Sequence, residues 1–311
     1  MRFGYVYRLK ITIFICLYLS AVVADDLIKP IPYIDSIDQD KALLGKRLFF
    51  DTRLSRDNSI SCASCHILSS GGDDNLRFSF GVDGQRGNIN SPTVYNTYFN
   101  FRQFWDGRAK DLKEQAKGPI ENPVEMGSSH KEAVKSVKRD YGYQKSFQKI
   151  YTDGITIDNI ADAISEFEKA LITVDAPFDL YLRGDKSAIG NRAKEGYRLF
   201  VSKGCIICHH GVNVGGNMYN KFGIFKGLNS TSLGRYNITK RDEDRYLFKV
   251  PSLRNIDQTA PYMHSGEIKT LDKAVRFMAQ YQLGRDMKDE EIDAIVAFLK
   301  TLTGKIPDIA K

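Results

Sequence analysis

The pentapeptide Cys62-Ala63-Ser64-Cys65-His66 has a counterpart of the same form 143 positions further along the chain, at Cys205-Ile206-Ile207-Cys208-His209. The only other cysteine is Cys16, which lies in an apolar N-terminal run. A Cys-x-x-Cys pair can form a disulfide, hold zinc or carry out redox chemistry. Here the histidine that follows both pairs discriminates between these uses.

A histidine directly after the second cysteine is typical of covalent haem attachment. The two thiols reach the two vinyl groups of the porphyrin, and the adjacent imidazole binds the iron on one face. A zinc site would need two more ligands beside each pair, and a redox dithiol would not need the histidine. We therefore predict two haem c groups. Their attachment residues are Cys62, Cys65 and His66 in the first site and Cys205, Cys208 and His209 in the second.

A shared segment before each motif indicates an internal duplication. Residues 45–49 and 196–200 both read Gly-x-Arg-Leu-Phe. The first copy has eight more residues between this segment and its cysteines, around positions 51–59. Apolar residues recur at helical spacing over 157–171 and 292–302, so each copy should end in an amphipathic helix.

These patterns predict a mainly α-helical fold of two cytochrome c-like domains, each wrapped around its haem. The N-terminal domain is expected over residues 25–175 and the C-terminal domain over 176–311, with a connection near 176–185. Residues 67–100 and 211–262 are rich in Gly, Asn, Ser and Pro and are expected to form long loops held by the haem groups.

The N-terminus has the features of a secretory signal peptide. Positive residues precede an uncharged apolar run over 11–23, and small residues stand at cleavage spacing before Asp25. A retained membrane anchor is the alternative, but this run is short for a bilayer. We expect residues 1–24 to be removed, which gives a periplasmic protein without stable membrane insertion.

The charge of the chain does not favour a nucleic acid partner. The formal net charge is +7, and it falls to about +4 without Arg2, Arg8 and Lys10. No run of basic residues interleaved with aromatic ones occurs.

The second axial ligand of each iron decides what each haem does. A filled sixth position suits electron transfer, whereas an open one lets the iron bind a small molecule such as peroxide. Most methionine and histidine side chains only pack, so spacing alone does not choose among the candidates. They are Met126, Met218, Met263, Met278, Met287, His130, His210 and His264.

Several longer stretches resemble the bacterial di-haem cytochrome c peroxidase family. The resemblance covers about residues 30–305, with its motifs in order. They are Leu-Gly-Lys-Arg-Leu-Phe-Phe-Asp at 44–51, Asn-Ser-Pro-Thr at 90–93, Phe-Trp-Asp-Gly-Arg at 104–108, Glu-Gln-Ala-Lys-Gly-Pro at 114–119, Val-Glu-Met at 124–126, Val-Pro-Ser-Leu-Arg-Asn at 250–255 and Thr-Ala-Pro-Tyr at 259–262.

The resemblance implies different tasks for the two haem groups. The N-terminal haem, with His66 as proximal ligand, would react with hydrogen peroxide. The C-terminal haem would receive electrons and would be bound by His209 and by Met278, which lies seventeen residues after Pro261. A methionine ligand raises the haem potential, which suits an electron acceptor. The rivals for this position are Met263 and His264.

The resemblance also implies a catalytic pair and two connecting features. Glu125 would be the acid–base group in peroxide cleavage, with Gln115 as its companion. Trp105, the only tryptophan, would lie between the haem groups. The electron donor would be a small cytochrome c or a cupredoxin, and a homodimer is a further expectation. A calcium ion between the domains would be bound by Asn90, Thr259 and Pro261.

One position departs from the family pattern. Many relatives place a histidine sixteen residues after the proximal one, where it blocks the iron until the other haem is reduced. That position is Val82, and no histidine lies between His66 and His130. Because valine cannot bind iron, we predict that the oxidised protein needs no reductive activation.

Two other functions stay open at the level of the sequence. The first is a di-haem enzyme of the methylamine-utilisation type, which oxidises residues of a partner protein and also lacks the blocking ligand. Its pattern has a tyrosine at the second axial position, where this chain has Met278. A non-catalytic di-haem electron carrier or redox sensor would need neither Gln115 nor Glu125.

Overall fold

A computed structural model describes residues 27–227 and 232–311 of the chain. The predicted signal peptide, residues 1–24, lies outside these residues. The described part is mainly α-helical, as predicted. Its helices are α1 (Gln39–Phe49), α2 (Cys62–Cys65), α3 (Leu112–Glu121), α4 (His130–Lys138), α5 (Tyr141–Ile150), α6 (Ile157–Ala170), α7 (Pro177–Leu182), α8 (Asn191–Ser202), α9 (Tyr236–Thr239), α10 (Leu271–Gln282) and α11 (Asp289–Lys300).

The regions predicted as long loops contain short elements. Strands β1 (Tyr219–Lys221) and β2 (Leu247–Lys249) pair antiparallel, with Tyr219 opposite Lys249. The predicted connection between the copies is partly helical, because Pro177 is tolerated in the first turn of α7 and Phe178 is fully buried. Single 3-10 turns occur at Thr52–Leu54, Leu68–Ser70, Val82–Gly84, Thr97–Phe99, Cys205–Ile207, Asp242–Asp244, Ile256–Gln258 and Asp308–Ala310.

The same helix crossing occurs in both copies and supports the internal duplication. A Cβ atom added at Gly45 of α1 would lie 1.8 Å from the carbonyl oxygen of Ala163 in α6. A Cβ atom added at Gly196 of α8 would lie 1.8 Å from the carbonyl oxygen of Ala294 in α11. Only glycine lets two helices approach this closely. The predicted C-terminal helices of both copies are thereby confirmed.

The additional residues of the first copy are fastened to the neighbouring helix. They form the turn Thr52–Leu54, in which Arg53 makes ion pairs with Asp51 at 2.7 Å and with Asp140 at 2.8 Å. Tyr143 of α5 donates a hydrogen bond to Asp51 over 2.7 Å. The insertion is therefore an ordered part of the first domain.

Each copy has its own hydrophobic core. The first core includes Phe49 of α1, Phe147 of α5 and Phe167 of α6. The second includes Phe200 of α8 and Phe298 of α11. Helices that end each copy thus pack on the helices that begin it, and the two haem-binding motifs lie beside these cores.

The two ends of the described chain cross to the other copy. Ile28 is buried in the second core, whereas Ile309 and Ala310 pack against the first. Backbone bonds hold both ends in place, from Gly211 N to Leu27 O at 2.7 Å and from Lys305 N to Val174 O at 2.8 Å. The boundary between residues 175 and 176 stays a prediction.

A buried ion pair secures the N-terminal crossing. Arg254 and Asp179 are fully buried and 2.7 Å apart. Arg254 also donates hydrogen bonds to the carbonyl oxygens of Val212 and Lys29, each over 3.0 Å. Removing one partner of such a pair leaves an uncompensated charge, so Arg254 ties three segments into one arrangement.

Candidate active site

The first Cys-x-x-Cys-His motif forms the single helical turn α2. Its start is fixed by a 3.0 Å hydrogen bond from Ser61 N to Ser64 Oγ. Nδ1 of His66 lies 3.2 Å from the carbonyl oxygen of Gly72, to which it can donate. This bond leaves Nε2 without a proton and able to bind iron. Burial lowers the pKa of His66, which favours the neutral imidazole that ligation requires.

The second motif lines a cavity. Cys205–Ile207 form a 3-10 turn that follows Gly204, whose φ of 96° suits glycine. Cys205, Cys208, His209 and Met278 all face the same cavity. Burial lowers the pKa of His209 to about 4, so its ring is neutral at physiological pH.

The surroundings of both motifs fit haem c. None of the four cysteines forms a disulfide, so all four thiols are available for thioether bonds. A flat apolar macrocycle requires apolar walls, and the cavity at the second motif supplies them. These walls include Phe200, Leu271, Ala274, Val275, Leu283, Ile295 and Leu299.

The rivals for the second axial position line the same cavity as Met278. Met263 and His264 both do so. The ring of His264 stacks on Phe248 with a centroid distance of 4.3 Å and meets Trp105 edge-on at 6.2 Å. His264 is thus part of an aromatic cluster, whereas Met278 extends from α10. The assignment of Met278 stays a prediction.

Replacing Met278 by histidine tests this assignment. We expect the C-terminal haem of Met278→His to stay low-spin and to have a lower potential, because imidazole donates more strongly than thioether. Spectra and redox titration of the purified protein measure both properties. Met287→His, in the core of the same domain, is the control. An unchanged spectrum and potential in Met278→His would direct attention to Met263 or His264.

The remaining candidates already have other environments. Met126 and Met287 are buried in the first and second cores, respectively. His130 Nε2 lies 3.0 Å from the carbonyl oxygen of Lys117, and His210 contacts the side chain of Asn217. These contacts favour packing and hydrogen-bonding roles over iron ligation. For Met218 the structure fixes only the backbone, whose carbonyl oxygen accepts a hydrogen bond from Val250 N over 3.0 Å next to β1.

Glu125 is a half-buried residue in the loop after α3. Asn122 donates a 2.6 Å hydrogen bond to its Oε1. Burial raises the pKa of Glu125, while Arg108 and the bond from Asn122 oppose the rise. Burial is the main cause that raises the pKa of the Cys62 and Cys65 thiols, and the negative charge of Glu125 adds to both shifts, which places its carboxyl group near the first motif.

Gln115 lies near the start of α3, six residues before the helix ends at Glu121 and the loop to Glu125 begins. Its backbone N–H bonds to Asp111 O over 3.1 Å, and its side chain is half-buried. Within residues 27–227 and 232–311, no hydrogen bond joins Gln115 to Glu125. The structure therefore places the two residues on one helix–loop unit without a hydrogen bond between them in the described residues.

The turn that carries Val82 packs on the Glu125 loop. Val82 is fully buried, and its N–H donates to the carbonyl oxygen of Glu125 over 2.8 Å. A Cβ atom at Gly81 would lie 2.4 Å from that same oxygen, so glycine is required there. An ion pair between Arg56 and Asp83 closes the outer side of the turn. The position of the missing histidine thus adjoins the predicted acid–base residue.

Trp105 and Asn90 connect the two copies. The indole N–H of Trp105 donates to Asn90 O over 2.8 Å, and Trp105 O accepts from the backbone of Lys249 over 2.8 Å. Trp105 also lines the cavity of the second motif. A tryptophan between the two domains is consistent with the predicted position between the haem groups.

The three residues predicted to bind calcium lie around one edge of this cavity, which all three line. The side-chain amide of Asn90 donates to Leu76 O over 2.9 Å, which leaves its oxygen available. Nearby, the amide of Asn75 donates to Gln258 O and Ala260 O. Within the described chain, no cluster of three or more His, Cys, Asp or Glu residues could hold a metal ion. Calcium stays a prediction.

Glu168 is a site residue that the sequence did not reveal. Glu168 directly follows Phe167, which packs on Gly45 at the helix crossing of the first copy. At the crossing of the second copy, Phe298 packs on Gly196 in the same way. Leu299, which follows Phe298, is therefore the equivalent of Glu168. Leu299 lines the second cavity. Burial first and the charge of Glu168 second raise the pKa of Cys62, and the pKa of Glu168 itself rises to about 8 through burial. Comparing the two copies residue by residue would have exposed this charge at an apolar position.

Replacing Glu168 by glutamine should change how stability depends on pH. The folded protein keeps Glu168 protonated up to about pH 8, whereas the unfolded chain ionises near its ordinary pKa. Stability from this group is therefore lost as pH rises between these values. We expect the wild type to lose on the order of 3 kcal/mol between pH 5 and 8 relative to Glu168→Gln.

Urea unfolding of the haem-loaded protein at several pH values measures this difference. Glu132→Gln, at an exposed site paired with Lys135, is the matched control and should keep the wild-type pH profile. Parallel profiles for wild type and Glu168→Gln would show that Glu168 is ionised in the folded protein.

Comparisons with known proteins agree with the geometry. The profile of the family described as di-haem cytochrome c peroxidase matches residues 39–187, and that of cytochrome c matches residues 193–303. The cytochrome c551 peroxidase of Nitrosomonas europaea is 49% identical over 292 residues, which covers 93% of this chain and 87% of that protein.

Similarity to the methylamine-utilisation group is lower. The methylamine utilization protein MauG of Methylorubrum extorquens is 34% identical over 286 residues, or 88% of this chain and 81% of that protein. Among solved structures, a MauG-like protein associated with microbial copper homeostasis superposes with a TM-score of 0.80. The two sequences are 25% identical, and the superposition covers 92% of this chain and 95% of the MauG-like chain.

Two attachment motifs beside two helical cores define a di-haem c-type cytochrome. More specifically, the chain belongs to the di-haem cytochrome c peroxidase family. The predicted family and fold class are confirmed, and membership implies two haem c groups. The higher identity to a peroxidase than to MauG favours peroxidase activity over the methylamine-utilisation alternative. No helix in the described residues is long and apolar enough to cross a membrane.

Proposed function

We propose that this protein reduces hydrogen peroxide to water in the periplasm, with electrons from a small cytochrome c or a cupredoxin. The observation that carries the proposal is Glu125. It is a half-buried residue whose carboxyl group lies near Cys62 and Cys65, has a raised pKa and accepts a hydrogen bond from Asn122. An electron carrier has no use for such a group.

Each domain has one task in this proposal. Cys62, Cys65 and His66 would hold the haem at which peroxide would react, and Cys205 and Cys208 would hold the haem that would receive electrons. His209 and Met278 would bind the second iron. Bound haem supplies the iron that binds peroxide and the electrons that reduce it.

The chain's own residues move the protons. Splitting peroxide into two waters consumes two electrons and two protons. Glu125 would take the proton from the near oxygen of peroxide and return it to the far oxygen, which leaves as water. Its raised pKa suits both steps, because a carboxyl group that is too acidic would not return the proton. Gln115 would orient the peroxide by hydrogen bonding.

The contacts between the domains would serve electron transfer. Trp105 bonds to Asn90 and to β2, so its ring is held at the boundary between the two copies. Calcium bound by Asn90, Thr259 and Pro261 would fix the same boundary through hard oxygen ligands. A homodimer is proposed from the family resemblance.

Steady-state peroxide reduction by the purified di-haem protein tests the proposed function. Reduced cytochrome c serves as donor, and its oxidation is followed optically. We expect turnover that depends on both substrates. A non-catalytic carrier would show two low-spin six-coordinate haem groups and no peroxide turnover, and that outcome would contradict the proposal.

A further inference from the structure

Lys249 is a buried cation in the cavity of the second motif. It is only 6% exposed, and its side chain lines the cavity together with Cys205, Cys208 and His209. Within residues 27–227 and 232–311, its ammonium group has no hydrogen-bond or ion-pair partner. Arg254 is also buried, but it has an ion-pair partner in Asp179, 2.7 Å away.

A buried cation requires a counter-charge. Leaving an ammonium group unpaired in an apolar environment is strongly unfavourable, because the charge has lost its hydration. Burial is the cause that lowers the pKa of Lys249 to about 8, and no carboxylate opposes it. Asp73 also lines the cavity, yet its own pKa rises to about 7 through burial and the charge of Asp74. Asp73 therefore does not act as the partner of Lys249.

The haem itself carries suitable anions. Its two propionates are the only negatively charged substituents of the macrocycle, and the cavity has no carboxylate paired with Lys249. We propose that Lys249 forms an ion pair with a propionate of the haem held by Cys205 and Cys208, and thereby raises the potential of that haem. The positive charge disfavours the ferric state, which carries one more positive charge than the ferrous state.

The internal duplication shows that this feature belongs to one haem site. The backbone of Pro92 interacts with His66 in the first copy, as that of Pro251 does with His209 in the second. The residue two positions before the proline is Lys249 in the second copy and the neutral Asn90 in the first. The cation therefore distinguishes the electron-accepting haem from the peroxide-reacting one.

The inference deepens the proposed function, because it explains how electrons are drawn to the second haem. Its test requires only bound haem and no peroxide, so it can fail independently of peroxidase activity. Redox titration of the haem-loaded protein gives the potential of each haem. We expect Lys249→Met to shift the reduced-to-oxidised ratio of the second haem about tenfold toward oxidised, or about 59 mV for one electron.

Matched variants separate this ion pair from a general charge effect. Lys249→Arg keeps the cation and should stay within twofold of the wild-type ratio. Lys273→Met removes an exposed lysine from α10 of the same domain and should have little effect, because solvent and salt screen it. Lys249→Gln should show the same shift of the second-haem ratio as Lys249→Met. It replaces Lys249→Met in the test if that variant incorporates haem poorly.

Three results would overturn the inference. The first is a second-haem ratio within twofold of wild type in both Lys249→Met and Lys249→Gln. The second is an equal shift in Lys273→Met. The third is loss of the second haem in both neutral variants, because Lys249 would then be needed for assembly of the site.

Discussion

Glu125→Gln is expected to lower peroxide turnover by about 10²–10⁴-fold, the range for loss of a general acid–base group. Glutamine keeps the size of the side chain and can still hydrogen-bond, but it cannot carry the proton between the two oxygens. Haem content and both haem potentials should stay close to those of the wild type. Steady-state assays with reduced cytochrome c, together with haem quantification, measure the effect.

Two further variants show whether the loss is specific to this carboxyl group. Glu121→Gln makes the same change at the exposed end of α3 and should keep wild-type turnover. Asn122→Ala removes the bond that lowers the pKa of Glu125, so the acid limb of kcat/KM should move to higher pH. Near-normal turnover in Glu125→Gln would show that another group moves the proton.

The fully oxidised protein is expected to react with peroxide as fast as the half-reduced protein. Val82 is fully buried against the Glu125 loop and offers no ligand to the iron. The family resemblance implies that a histidine at this position would block the iron until reduction of the other haem shifts the loop to an open state. Without that ligand, the open state should be populated in the fully oxidised protein, before any reduction. The oxidised spectrum should contain a high-spin component from the His66 haem.

Val82→His should create the blocked form. We expect turnover of the oxidised variant to fall at least tenfold and to recover after one-electron reduction. Before that reduction, the His66 haem of the variant should be low-spin. Val82→Leu adds bulk without a ligand atom, and it controls for crowding against Gly127, where an added Cβ would lie 2.8 Å from Val82 Cγ2. A wild type that is purely low-spin and inert until reduced would contradict the prediction, with His130 the first residue to test as ligand.

Local sequence patterns predicted the fold class well. The attachment motifs, the glycine before each motif and the apolar spacing of α6 and α11 are all short-range signals, and the structure contains each element. The crossing of Ile28 and Ile309 to the opposite cores was not predicted. Contacts between residues so far apart produce no periodic pattern in the sequence. A single sequence therefore does not show which distant residues meet.

The candidate site was predictable only where a residue type has one dominant use. Cysteine spacing and the adjacent histidines indicated haem without further information. The packing of Val82 against Glu125 joins residues 43 positions apart, so it needed the structure. Lys249 and Glu168 were missed because charged residues are normally exposed, and nothing in their immediate neighbours marks them as buried.

The crossed chain ends make the two copies mutually dependent. Separating the chain between residues 175 and 176 would remove Ile28 from the core that it fills and would leave Ile309 and Ala310 without theirs. Either fragment alone would expose an apolar gap, whereas the two fragments together could restore both contacts. Each repeat thus supplies apolar residues to the core of the other, so deletion of either repeat is expected to destabilise the one that remains.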